Sequence, residues 1–111
     1  MTANKVIEIV DEIRPNAYDG KVKFRWINEL DCLVQKLVFQ NETVTPHVYP
    51  DDMDKELLIP APFDDVYSMY LEAKIDYYNR EYENYNNSVM VFDERFNEYK
   101  KSYIREHPAK G

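Results

Sequence analysis

Glycine and cysteine are nearly missing: the chain has 111 residues, with two Gly and one Cys. Two glycines are too few for a phosphate-cradling loop or for the many turns of a β-sandwich. A lone Cys32 cannot form an internal disulfide, which excludes a disulfide-stapled secreted domain. It lies beside an apolar helical stripe and reads as a packed thiol. Long apolar runs are missing as well, since none approaches the roughly 18 to 20 residues that span a bilayer. The opening stretch MTANKVIEIVDEIR mixes charges into its apolar positions, unlike the core of a signal peptide. Bases are outnumbered, with 14 Lys and Arg against 21 Asp and Glu and a formal charge of −7. Proteins that coat DNA or RNA by neutralising phosphates carry the opposite balance. What remains is a soluble, cytosolic, aromatic-rich chain, and its length fits a single domain over residues 1–111.

The charge is uneven. Residues 41–83 hold eleven of the acids and three of the bases, a net of −8, which leaves +1 for the rest. Such a segment serves as a solvated face, repels polyanions or meets a basic partner.

Aromatics are abundant: ten Tyr, five Phe and one Trp. Their spacing gives an all-α fold with four helices, at about 4–13, 20–39, 63–83 and 87–105. In the first, Val6, Val10 and Ile13 share a face with Ile9, Thr2 or Asn4 can cap the start, and Pro15 ends it. In the second, Val22, Trp26, Leu30, Leu33 and Leu37 recur at helical spacing, with Ile27, Val34 and Val38 widening the stripe. The third and fourth share one run, Tyr67, Leu71, Ile75, Tyr78, Tyr82, Tyr85, Val89, Phe92, Phe96, Tyr99 and Tyr103, at alternating steps of 3 and 4. A single helix over 64–105 would reach about 60 Å. The weak helix formers Asn84, Asn86, Asn87 and Ser88 suggest a break there instead, although a continuous helix stays open. Residues 107–111 read as a frayed end.

Between helices two and three, residues 41–61 lose the helical period and contain Pro46, Pro50 and Pro60. Two β-like stretches, 43–49 and 56–59, flank Asp51-Asp52-Met53-Asp54. This reads as a protruding loop or short β-hairpin. The aspartates lack the glycine and distal glutamate of a calcium loop. His47 and His107 have no metal-spaced companions, and no Ser or Cys has a patterned His. Asp64 and Asp65 suit a helix start better than acid–base chemistry. The chain therefore reads as a non-enzyme with no cofactor. A small core cannot easily absorb all the tyrosines, and tyrosine favours interfaces. Tyr49, Tyr70, Tyr77, Tyr82 and Tyr85 are the candidate subunit or partner contacts.

The order of parts is itself recognisable. A short helix ends in Glu12-Ile13-Arg14-Pro15-Asn16. The next carries Arg25-Trp26-Ile27-Asn28-Glu29. A proline-flanked loop ends in Leu58-Ile59-Pro60-Ala61-Pro62-Phe63-Asp64. The third helix carries Tyr77-Tyr78-Asn79-Arg80-Glu81, and Tyr85-Asn86-Asn87-Ser88 follows. This layout resembles the small head–tail connector, or adaptor, proteins of long-tailed phages and of prophages of Gram-positive bacteria. The resemblance covers nearly the whole chain, through packing and capping residues rather than a catalytic signature. It implies a virion structural protein, made in the bacterial host cytoplasm and located at the head–tail junction. It implies a homo-oligomeric ring, commonly of twelve subunits, that joins the portal protein to neck or tail proteins. DNA would pass through the lumen without specific binding, and no membrane is involved. Carboxylates from the acidic segment could line that lumen or its loop, with Asp51, Asp52, Asp54, Glu56, Glu72 and Asp76 as candidates. Alternatives are a tail-completion or tail-assembly protein, or a small acidic regulator or DNA mimic.

Overall fold

Four α-helices dominate the computed structural model, which describes residues 1–108. Of the end read as frayed, residues 109–111 lie outside the described residues. Helix α1 (Ala3–Ile13) starts where the Thr2 hydroxyl accepts the Lys5 N–H at 3.2 Å. It stops at Arg14, because the residue before a proline avoids the helical region. Helix α2 (Gly20–Leu33) starts at Asp19, whose carboxylate accepts the Val22 N–H at 3.1 Å. It does not continue regularly to 39. Val34–Val38 form a wider π-helical turn, in which Phe39 N–H bonds to the Val34 carbonyl at 2.9 Å. The extra residue in that turn shifts the register. Val34 is buried, whereas Leu33 and Leu37, expected on the apolar stripe, face outward.

A 3-10 turn, Phe63–Asp65, leads into α3 (Val66–Tyr78), and α4 (Tyr82–Glu106) follows three residues later. The two helices are separate, but the break lies at 79–81 rather than at Asn84–Ser88. Arg80 adopts a left-handed φ of 61°. Its N–H bonds to the Tyr77 carbonyl at 3.0 Å, and the Glu81 N–H bonds to the Asp76 carbonyl at 2.9 Å. This paired pattern ends a helix with one left-handed residue, usually Gly or Asn. Arginine holds that place here, so composition gives no sign of it. The asparagines at 84, 86 and 87 instead lie within α4, on its exposed side.

No strand or sheet exists among the described residues, so the short β-hairpin expected at 41–61 is not formed. Among the described residues the only β-type pairing is an isolated bridge between Thr2 and Glu56. Nor does the segment stand free of the body, for Leu57 and Ile59 are buried and Val44, His47, Met53 and Leu58 partly so. A hairpin needs two strands to exchange main-chain bonds, and prolines cannot donate them. Here side chains of α2 bond the first arm, while the second arm meets the start of α1 through a 2.9 Å bond from Leu57 N–H to the Met1 carbonyl.

The core gathers Val6 and Val10 of α1, Phe24, Ile27 and Leu30 of α2, Tyr67, Leu71 and Ile75 of α3, and Phe92, Phe96 and Tyr99 of α4. Helix α3 is central and packs on the other three. Ile13 misses the core and is exposed. The aromatic run shared by α3 and α4 is thus core on both arms, at Tyr67, Leu71 and Ile75 and again at Phe92, Phe96 and Tyr99, but it emerges into solvent between them, where the two helices meet.

Candidate functional site

That emergence builds the most site-like surface of the molecule. Tyr77, Tyr78 and Tyr82 cluster at the α3–α4 corner and are 46%, 52% and 55% exposed. Tyr77 is the hub, with ring centres 5.1 Å from Tyr78, 6.1 Å from Tyr82 and 5.3 Å from Tyr85. Tyr78 stacks on Trp26 at 5.3 Å and 11°, which anchors the cluster to α2. Beside it opens a cleft of about 340 Å³ lined by Tyr70, Tyr77, Tyr78, Tyr85, Val89 and Phe92, among others. Lys74 borders the cleft but is paired with Glu29 at 3.1 Å, and Glu29 also accepts the Tyr70 hydroxyl at 2.9 Å. Burial, and then the Glu29 carboxylate, push the Tyr70 phenol well above its ordinary pKa. The surface offers rigid rings with hydroxyls at their edges, side chains that combine a large apolar face with a polar tip.

Four of the five candidate contact tyrosines converge there: Tyr70, Tyr77 and Tyr85 line the cleft, and Tyr82 flanks it. Tyr49 does not. It lies on the 41–61 segment and packs against Phe24 at 5.4 Å.

A second constellation lies inside the fold. Asp31 is fully buried on α2. Its carboxylate accepts from the Tyr67 hydroxyl, from the Leu58 N–H at 3.2 Å, and meets His47 Nε2 at 2.6 Å. The Tyr67 oxygen in turn accepts the Ile59 N–H at 2.8 Å. One turn before, Asn28 accepts the His47 N–H at 2.8 Å. One turn after, Gln35 makes a two-way pair with the Thr45 main chain at 2.8 and 2.9 Å. Asn28, Asp31 and Gln35 thus form a polar stripe that straps residues 45–59 to the helix. Burial and the Asp31 carboxylate raise the Tyr67 pKa strongly. A hydrogen-bonded Asp–His–Tyr group invites a catalytic reading. Asp31 and Tyr67 each hold a main-chain N–H, however, the His47 ring closes on Asp31 itself, and Asp31 and Tyr67 have no exposure. Sequence reasoning missed this cluster, although the steps of 3 and 4 between Asn28, Asp31 and Gln35 mark one helix face.

The acidic candidates divide. Asp76 is fully buried and is no solvated lining residue of this fold, whereas Glu72 is partly buried. Arg14 reaches both, at 3.4 Å to Asp76 and 3.2 Å to Glu72, and the Ser88 hydroxyl donates to Asp76 at 2.6 Å. These contacts tie α1, α3 and α4 together. They put two carboxylates to structural use, because a buried charge must be paired. Asp51, Asp54 and Glu56 are exposed, and Asp52 partly so. Asp52 caps its own turn through the Val48 N–H at 2.7 Å. Asp54 accepts the Asn4 amide at 2.6 Å, and Glu56 pairs with the Met1 amino group at 2.6 Å.

Among the described residues, no group of three His, Cys, Asp or Glu side chains could hold a metal ion, and no helix is long and apolar enough to cross a membrane. Cys32 is half-buried, and its thiol pKa is raised by burial and by Asp31 and Glu29. No family model, curated protein or solved structure matches the chain.

Proposed function

We propose that this chain is a virion structural subunit of the phage head–tail interface, a ring member that joins the portal to the neck or tail and leaves DNA a path. The observation that carries the reading is the tyrosine corner. Three large rings are held half in water at the junction of α3 and α4. Rigid aromatic side chains in that state favour burial against protein. The resemblance in layout, through Tyr77-Tyr78-Asn79-Arg80-Glu81 and Leu58-Ile59-Pro60-Ala61-Pro62, supplies the identity of the assembly. The exposed carboxylates Asp51, Asp54 and Glu56 suit a passage through which phosphates slide without sticking.

The test is to mix the chain with the portal protein of the phage or prophage that encodes it, and to measure the mass of the product by light scattering. A portal complex heavier by many copies of this chain is expected. A Tyr77→Ser/Tyr82→Ser variant should keep its fold and lose that complex. A chain that ignores the portal and binds tail-tube protein would move the reading to tail completion. A chain that binds neither would refute it.

A further inference from the structure

The opposite end of α4 carries a second unpartnered surface of different character. Leu37, Val38, Gln40, Lys100 and Ile104 enclose a shallow depression between the end of α2 and the last turns of α4. Leu33, Leu37 and Ile104 are 42%, 58% and 64% exposed. Bases surround these apolar groups. Lys36 adjoins Leu37, while Lys100, Lys101 and Arg105 flank Ile104, and none of the four has an ion-pair partner among the described residues. In a chain of charge −7 this is an unusual spot. The tyrosine corner is its complement. Its rings are cation-accepting faces. Glu81 and Glu83 adjoin them against Arg80, and the nearby Lys74 is neutralised by Glu29 at 3.1 Å, so the corner is net acidic.

The two surfaces cannot meet within one molecule. Tyr82 and Ile104 are 22 positions apart on one straight element, about 33 Å at 1.5 Å per residue. We infer that they meet between molecules: the Leu37–Lys100–Ile104 surface of one copy seats on the Tyr77–Tyr78–Tyr82 corner of the next. This inference rests on the assembly reading above and names the partner of the same tyrosine corner, a second copy of this chain. Such a contact joins unlike surfaces, so each copy has one of each left to offer and the chain of copies grows until it closes. Three half-exposed tyrosines supply about 300 Å² to such a contact. That is well under the roughly 800 Å² per partner of a stable interface. Association of the free chain is therefore weak, and a platform such as the portal strengthens it.

The contact is tested by disulfide trapping. Tyr82→Cys and Ile104→Cys are introduced together into a Cys32→Ser chain, which is then oxidised at high concentration, alone and mixed with portal. A ladder of dimers, trimers and longer products is expected. Each single variant should stay monomeric, and the two singles mixed should stop at dimers. Absence of a ladder in both samples overturns the contact. Equal self-pairing of either single variant overturns it too, since that marks a symmetric interface. Binding of duplex DNA or anionic vesicles through Lys100 and Lys101, without a ladder, assigns the basic surface elsewhere and also overturns it. A portal complex of wild-type chain without a ladder sinks this contact and leaves the assembly reading standing. A ladder without portal binding does the reverse.

Discussion

Replacing Tyr67 by Phe removes one oxygen atom and tests the buried strap directly. That oxygen is the junction of two bonds, one donated to Asp31 and one accepted from the Ile59 N–H at 2.8 Å. Both partners belong to residues without solvent exposure. Phenylalanine fills the same space, so no cavity opens. The Ile59 N–H and one oxygen of the Asp31 carboxylate are left unpaired. A buried polar group without a partner costs about 1–3 kcal/mol, more when charged. The two together should destabilise the fold by about 2–4 kcal/mol, a large share of the about 5–15 kcal/mol of a typical domain. At about 4–8 °C per kcal/mol for a domain near this size, Tm should fall by roughly 10–20 °C. Thermal and urea melts followed by circular dichroism read the change. Tyr70→Phe is the control. Its hydroxyl also meets a carboxylate, that of Glu29, but at a part-exposed site, and its loss should cost no more than about 1 kcal/mol. If Tyr67→Phe matched the control, water would be satisfying the strap and the account of Asp31 as its anchor would be wrong.

Gln35→Ala deletes the two-way pair with Thr45. It should cost about 1–2 kcal/mol and let protease cut within residues 43–50, while wild type resists there. Arg80→Gly relieves the left-handed φ of 61° and should stabilise by about 0.5 kcal/mol after the added freedom of the unfolded chain. Arg80→Ala should not, which a pair of melts decides. Phenol pKa values of Tyr67, Tyr70 and Tyr99 are all raised by burial, that of Tyr99 to about 12. A raised folded value means the stability is intact below the ordinary tyrosine pKa near 10 and is lost as pH climbs toward the folded value. Absorbance titration should therefore find three late-ionising tyrosines whose titration coincides with alkaline unfolding. Their ionisation in the folded chain would refute the packing given for them.

The helical architecture was legible because apolar spacing is a strong local signal. Thr2, Asp19 and Pro15 mark helix ends through side-chain chemistry that works at short range. The break between α3 and α4 was misplaced because a left-handed turn usually announces itself by Gly or Asn, and here Arg80 carries it. Asn84–Ser88 looked like the break, yet Ser88 bonds Asp76 and helix packing overrides weak propensity there. The hairpin failed for a related reason. Alternating, proline-bounded stretches were read as strands, but the bonds that hold them come from Asn28, Asp31 and Gln35 on a helix, long-range partners that no local pattern contains. Four tyrosines of the candidate surface do converge, since i, i+3 and i+4 spacing places them on facing sides of two joined helices. Asp76 went the other way. An acid in an acidic segment reads as solvated, and only the approach of Arg14 and Ser88 accounts for its burial.

The central claim is that this chain assembles on a portal. Electron microscopy of the portal mixed with this chain is the most direct measurement. The account predicts a second ring stacked on the portal, with the α3–α4 tyrosine corner inside a contact between protein surfaces and an open channel along the axis. A portal that remains bare at saturating chain, with the tyrosine corner still in solvent, would contradict it.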